Sequence, residues 1–298
     1  MSFFFEVLIG GLLAGVMYSL VALGFVLIYK ASGVFNFAQG GMVFLAALTF
    51  VGMQTRFGMP YWLAFACALL VMVALSVAIE RIVLRPLVNQ PQISLFMATI
   101  GLAFFIEGAS QLLWGTDVQP LSLGMQDEPI AAVLDRFNVA ISKLDLAAAL
   151  VAGVLVTLLA VFFNRTRIGR ALRAVADDHQ AALAVGIPLK QIWAIVWSVA
   201  GFVALVAGLL WGARNGVQFA LTFVALKALP VLIIGGFESI AGAIAGGLIV
   251  GASEKLAEVY LGPFVGGGIE GWFAYVMALL FLLVRPEGLF GEKRIDRV

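Results

Sequence analysis

The sequence predicts an all-α fold, a polytopic bundle of about 8–9 membrane helices, and three observations predict it. The first is composition: 63% of the 298 residues are hydrophobic and 12% are charged, against about 45–50% and about 25% in soluble domains. The mean hydropathy is +1.08. The second is run length: about 20 apolar residues at 1.5 Å each cross the roughly 30 Å hydrocarbon layer, and the chain is built from runs near that size. The third is that Lys and Arg gather between the runs, with a strong bias to one side. A formal charge of +1 speaks against a nucleic-acid partner. Cys67 is alone in an apolar run, which excludes a disulfide framework and a Cys metal cluster.

Nine runs qualify, at about 5–29, 38–54, 61–83, 93–114, 145–163, 191–211, 220–236, 242–260 and 268–284. The whole chain, 1–298, is expected to form one transmembrane domain. The first run follows MSFFFEVLIGG, which has no basic n-region, so it is expected to be a retained helix and not a cleaved signal. The second, seventh and ninth are short enough to be re-entrant or broken. Pro230 removes a backbone donor inside the seventh.

With the N-terminus outside, the inner connections receive 12 Lys and Arg, the outer ones 5, and Lys227 falls within a span. This bias predicts an outside N-terminus and a cytoplasmic C-terminus. It also makes residues 115–144 the longest external loop.

A shift of 206 residues superposes Ala22-Leu23 on Ala228-Leu229 and Gly40-Gly41 on Gly246-Gly247. Internal repeats are frequent in transport proteins, though apolar sequence also aligns by chance. Gly11 with Gly15, and Gly242, Gly246, Gly247 and Gly251, lie at helical spacing and let helices approach closely.

No catalytic or nucleotide-binding motif is present: G-x-x-x-x-G-K-[ST], H-E-x-x-H and G-x-S-x-G are all missing. One His and one Cys, far apart, make neither a catalytic pair nor a metal site. Polar residues at membrane depth are few. Lys227, in the span that holds Pro230, costs about 2.5–3.5 kcal/mol on insertion scales. It reads either as functional or as a snorkelling lysine set against carbonyls freed by the proline. Glu107 is mid-span in the fourth run, with Gln111 at i+4. Glu80 and Arg81 are expected in the headgroup region. Asn36 and Gln39 alternate with Phe35 and Phe37 in a hinge or pore-lining turn, and Glu238 follows the seventh run.

The longest basic segment is NRTRIGRALRAVADDHQAALAVGIPLK, Asn164–Lys190, with Arg165, Arg167, Arg170, Arg173 and Lys190. Gly186 and Pro188 stop a helix expected over about 168–185. Ile168, Leu172, Val175, Ala182 and Leu183 are expected on roughly one face, with Asp177 and Asp178 elsewhere. The four arginines stand at the helix N-terminus, where the dipole disfavours cations. Lipid phosphates or an acidic partner surface would account for them, and both readings stand on the physics.

At this point the chain resembles the permease subunits of bacterial ABC importers, in the branched-chain amino acid family. The resemblance rests on GLLAGVMYSLVALGFVLIYKASGVFNFAQGG, NRTRIGRALRAVADDHQAALAVGI, VLIIGGFESIAGAIAGGLIVGASE and VRPEGLFG. The basic segment is similar to the importer motif E-A-A-x-x-x-G, here Gln180-Ala181-Ala182-x-x-x-Gly186, with Gln180 in place of the acid.

What the resemblance implies is a multi-pass subunit of the bacterial inner membrane, without catalytic residues, metal or cofactor of its own. Two ATP-binding subunits would dock on Arg165, Arg167, Arg170, Arg173, Asp177, Asp178, Gln180, Ala181, Ala182 and Gly186. A periplasmic binding protein would deliver substrate, and a second permease subunit, related but distinct, would complete the pathway. Asn36, Gln39, Glu107, Lys227, Pro230 and Glu238 would belong to the pathway or its hinges. The substrate class would be branched-chain or other hydrophobic amino acids. Urea, short amides and aromatic acids suit the same pathway, and a self-sufficient secondary carrier using Lys227 and Glu107 is the competing class.

Overall fold

In the computed structural model the described residues are 2–87, 90–125, 127–177 and 179–291, without the side chains of Gln92, Asp177, His179 and Gln180. Asp178 therefore lies outside the described residues, as do Lys293, Arg294 and Arg297 of the charge count. The chain is 80% helix, with no strand among the described residues.

The helices are α1 (Ser2–Ser32), α2 (Gln39–Phe57), α3 (Tyr61–Ala78), α4 (Gln92–Trp114), α5 (Ala131–Phe137), α6 (Lys143–Arg165), α7 (Arg167–Asp177), α8 (His179–Ala184), α9 (Leu189–Asn215), α10 (Val224–Gly235), α11 (Ile240–Tyr260), α12 (Gly262–Val265) and α13 (Phe273–Val284). Each of the nine apolar runs carries one of them. Among the described residues six helical stretches are long and apolar enough to cross a membrane: Ser2–Ser32, Tyr61–Leu87, Ile93–Trp114, Lys143–Arg165, Leu189–Asn215 and Ile240–Tyr260. Phe219–Gly235 and Phe273–Val284 are apolar but shorter. Pro230 does not end α10, which runs on to Gly235; the change of helix type comes earlier, where 3₁₀ turns at Phe219–Phe223 give way to α.

The chain forms two compact units: Met1–Ala22 with Leu123–Val156 and Lys227–Val298, and Leu23–Ser122 with Thr157–Leu226. In the first, α1 meets α11 through glycine. A Cβ on Gly11 would lie 2.7 Å from Gly251 O, and one on Gly15 would lie 2.5 Å from Gly247 O. Ser19 Oγ donates to Gly15 O at 2.9 Å and to Ile244 O at 3.3 Å, so its hydroxyl is satisfied inside the contact. α10 and α11 form a hairpin. Ser239 Oγ caps α11 by accepting from Gly242 N at 3.0 Å. The segment after α13 supplies the other end: Leu289 N donates to Ile234 O at 2.8 Å and Phe290 N to Gly235 O at 3.1 Å. Those are carbonyls at the end of α10 that no intrahelical donor reaches.

In the second unit α2 is the hub. Its residues from Gln39 to Gly52 are all buried, against α3, α4 and α9. Small residues permit this: the backbone of α9 at Gly208 comes so near that a Cβ there would meet Val43 O at 2.5 Å. α3 widens into a π-turn at Ile79–Leu84. Glu80 is 1% exposed and takes a bidentate Arg85, with Nη2 2.8 Å from Oε2, so its carboxylate is paired inside the protein. Arg81 is exposed.

Candidate functional site

The basic segment follows α6 around a tight corner. Thr166 caps α7, its Oγ1 accepting from Gly169 N at 3.2 Å. Gly169 lies against the end of α6, where a Cβ would come within 1.8 Å of Phe163 O. Arg173, one turn further on, reaches back. Its Nη1 donates to Phe163 O at 2.9 Å and to Asn164 Oδ1 at 3.4 Å, and Nη2 donates to Asn164 O at 3.4 Å. The guanidinium therefore caps the carbonyl end of α6, where the helix dipole favours a cation. The arginine count at the start of α7 is thus explained in part from within the chain. Arg165, Arg167 and Arg170 are exposed.

Leu172 and Val175 of α7 are buried, and Ala182 of α8 is as well. Leu183 is 55% exposed, which corrects its assignment to the same face. Leu183 is about 100° round the helix from Ala182 and points outward. Gly186 closes the segment at φ +83°, with Gly186 N donating to Leu183 O and Ile187 N to Ala182 O. Ala181 is exposed. The side chains of Asp177 and Gln180, and all of Asp178, are outside the described residues.

Asn36 and Gln39 are completely buried. Asn36 Oδ1 accepts from Ala38 N at 3.1 Å and its Nδ2 donates to Gln39 Oε1 at 3.1 Å, which shapes the turn into α2. Phe35 stacks on Phe25 with centroids 4.8 Å apart, and Phe37 packs edge-on against Phe96. This is a packed turn in which Asn36 takes the backbone amide of Ala38 and Gln39 takes Asn36, while the buried Gln39 Nε2 has no hydrogen-bond partner among the described residues. Glu107 is half-buried on α4, and Glu238 is exposed in the α10–α11 turn.

Lys227 does not sit against freed carbonyls. Its Nζ is 2.6 Å from Glu254 Oε1, 3.4 Å from the Tyr18 hydroxyl and 3.9 Å from Glu270 Oε1. Glu270 Oε2 takes Lys255 Nζ at 3.0 Å. Glu258 accepts from Gly268 N at 2.9 Å and Glu270 N at 2.7 Å, which holds the 3₁₀ turn Ile269–Gly271 against α11. Lys227 is 30% and Glu254 2% exposed. Glu254, Lys255, Glu258 and Glu270 were not among the residues expected from sequence. One signal was there: Lys227 is the single charge of α10, and the first charge of α11 is opposite in sign.

The family model for the permease component of branched-chain amino acid transport systems matches residues 7–285. The high-affinity branched-chain amino acid transport system permease protein LivH of Salmonella typhimurium is 28% identical, over 99% of this chain and 98% of its own. The corresponding protein BraD of Pseudomonas aeruginosa is also 28% identical, over 99% and 98%. Among solved structures, PsaBC of Streptococcus pneumoniae in complex with Fab is similar with a TM-score of 0.51 and 14% identity, over 94% of this chain and 92% of that one. At that identity the likeness concerns the fold alone.

Proposed function

The chain belongs to the family of permease components of branched-chain amino acid transport systems, and from that premise we propose that it is the membrane subunit of an ATP-driven importer for branched-chain or other hydrophobic amino acids. The observation that carries the reading is the match of residues 7–285 to a permease family in a chain that has no P-loop. A transporter of this composition needs its ATP hydrolysed elsewhere. In this reading two ATP-binding subunits dock on the basic segment, a periplasmic binding protein delivers substrate, and a second, distinct permease subunit completes the pathway. The protein lies in the bacterial inner membrane with its N-terminus outside and nine crossings. With a 3₁₀ rise near 2.0 Å, Phe219–Gly235 reaches roughly 28 Å, close to a bilayer core.

Exposed Arg165, Arg167 and Arg170 offer charge to an acidic ATPase surface, with Ala181, Ala182 and Gly186 shaping the contact. Arg173 acts differently: it fastens α7 to α6, so a push on α7 reaches the carbonyl end of α6. Arg170→Glu is therefore expected to reduce ATP-dependent uptake at least about tenfold without changing thermal stability. Arg173→Glu is expected to lower both, since a hydrogen bond from a charged donor is worth about 1.5–3 kcal/mol. Uptake into vesicles and the unfolding temperature of the purified complex separate the two.

The class itself is tested by measuring amino-acid uptake in vesicles with and without the ATP-binding subunits. Uptake only with them and ATP is the expected result. Ion-gradient uptake by this chain alone overturns the reading in favour of a secondary carrier.

A further inference from the structure

The charged cluster of α1, α10, α11 and the Ile269–Gly271 turn is more than a fold needs. An ion pair held away from water gives little net stability, and apolar residues of similar size often do as well. Within a membrane protein such a pair calls for a reason beyond packing. The hydrogen bonds here leave a particular gap. Lys227 Nζ has three N–H groups; Glu254 Oε1 takes one at 2.6 Å and the Tyr18 hydroxyl another at 3.4 Å. The third has Glu270 Oε1 before it at 3.9 Å, beyond hydrogen-bond range. Glu270 is in the matching position: Oε2 is engaged by Lys255, and Oε1 has no hydrogen-bond donor among the described residues.

An ammonium with a spare donor thus faces a carboxylate with a spare acceptor, both about one-third exposed. Both are held in place, Lys227 by buried Glu254 and Glu270 by the two amides that Glu258 fastens. This is the inverse of an amino acid's head, in which a carboxylate and an ammonium sit on one carbon. We propose that Lys227 and Glu270 bind the zwitterionic head of the transported amino acid, Lys227 donating to its carboxylate and Glu270 accepting from its ammonium. Glu254, Tyr18 and Lys255 hold the two binding groups in place. The inference rests on the reading of the chain as an amino-acid permease component.

The test uses the whole importer in nanodiscs, with leucine as the probe. Leucine is expected to raise the unfolding temperature of the permease–ATPase complex, while 3-methylbutylamine and 4-methylpentanoate, each lacking one charge, leave it unchanged. Lys227→Met combined with Glu254→Gln neutralises the buried pair as a unit and preserves the fold. It is expected to weaken leucine binding about tenfold or more, the worth of a charge-assisted hydrogen bond. Glu270→Gln, at a one-third-exposed position, gives a second variant with the same expected loss.

Leucine stabilisation that survives in both variants, or that the single-charge analogues reproduce, overturns the site. So does its absence from the wild-type complex. ATP-dependent leucine uptake, measured in parallel with the binding protein, separates the two levels. Uptake by the wild type without any such binding removes only the site, whereas a wild-type importer that moves no amino acid removes the amino-acid importer reading and the site with it.

Discussion

Gly169→Ala is expected to abolish ATP-dependent uptake while leaving membrane insertion intact. On helix propensity alone the change would help, by about 1 kcal/mol. Sterics decide otherwise. The new Cβ would stand 1.8 Å from Phe163 O, 2.4 Å from Phe163 C and 2.6 Å from Phe163 Cα. All three atoms are backbone, so no side chain can swing aside. α7 must instead lift off the end of α6. That breaks the Arg173 bonds, worth about 1.5–3 kcal/mol, and it uncovers Leu172 and Val175, each worth about 1.5–3 kcal/mol buried. The losses exceed the gain severalfold. Surface labelling should find the protein in the membrane at its normal level, with uptake down by more than about tenfold and ATP hydrolysis uncoupled from it. Full uptake in Gly169→Ala would mean that the α6–α7 corner carries no force.

Gly247→Val is expected to have the largest effect on folding. A Cβ at Gly247 meets Ser19 Oγ at 2.1 Å and Gly15 O at 2.6 Å, and two further methyl groups cannot be placed there at all. Membrane helices gain little from apolar attraction to one another, so close backbone approach supplies much of their association. Separating α1 from α11 forfeits it along the whole face from Gly11 to Ser19 and breaks the Ser19 bond to Ile244 O. The cost is at least the about 1–3 kcal/mol of ordinary overpacking. Size-exclusion profiles after heating should show most of the variant lost at temperatures the wild type survives. Gly10→Ala is the control: it adjoins Gly11 in sequence, yet a Cβ there meets nothing within 4 Å, and its stability should match or exceed the wild type.

The glycines illustrate how far the sequence could be read. Spacing alone marked Gly11, Gly15, Gly247 and Gly251 as a close-packing face, because helical periodicity is a local property. It could not tell which helix each would meet, nor that Gly10 is idle. The same limit explains the cluster around Lys227. Cost at membrane depth singles it out, but its partner Glu254 lies 27 residues away, while its near neighbour in the chain is a proline one turn off. In the sequence Arg173 looks like its neighbouring arginines, since nothing local shows that its side chain turns back to Phe163 O. α2, short and with Arg56 near its end, gave a weak signal as a span; it is the most enclosed helix of its unit.

By itself the sequence determined the membrane class, the helices under the nine apolar runs, the stop at Gly186 and the family. Each follows from composition, periodicity or motif, which depend on residues close together in the chain. It takes the packed helices to show that Arg173 is a cap, that Glu80 is buried with Arg85, and that Lys227 and Glu270 face each other with hydrogen-bonding capacity to spare. These are facts of through-space pairing. A charge has the same letter in the sequence whether it meets water, lipid or a buried partner, and only the packed helices settle which.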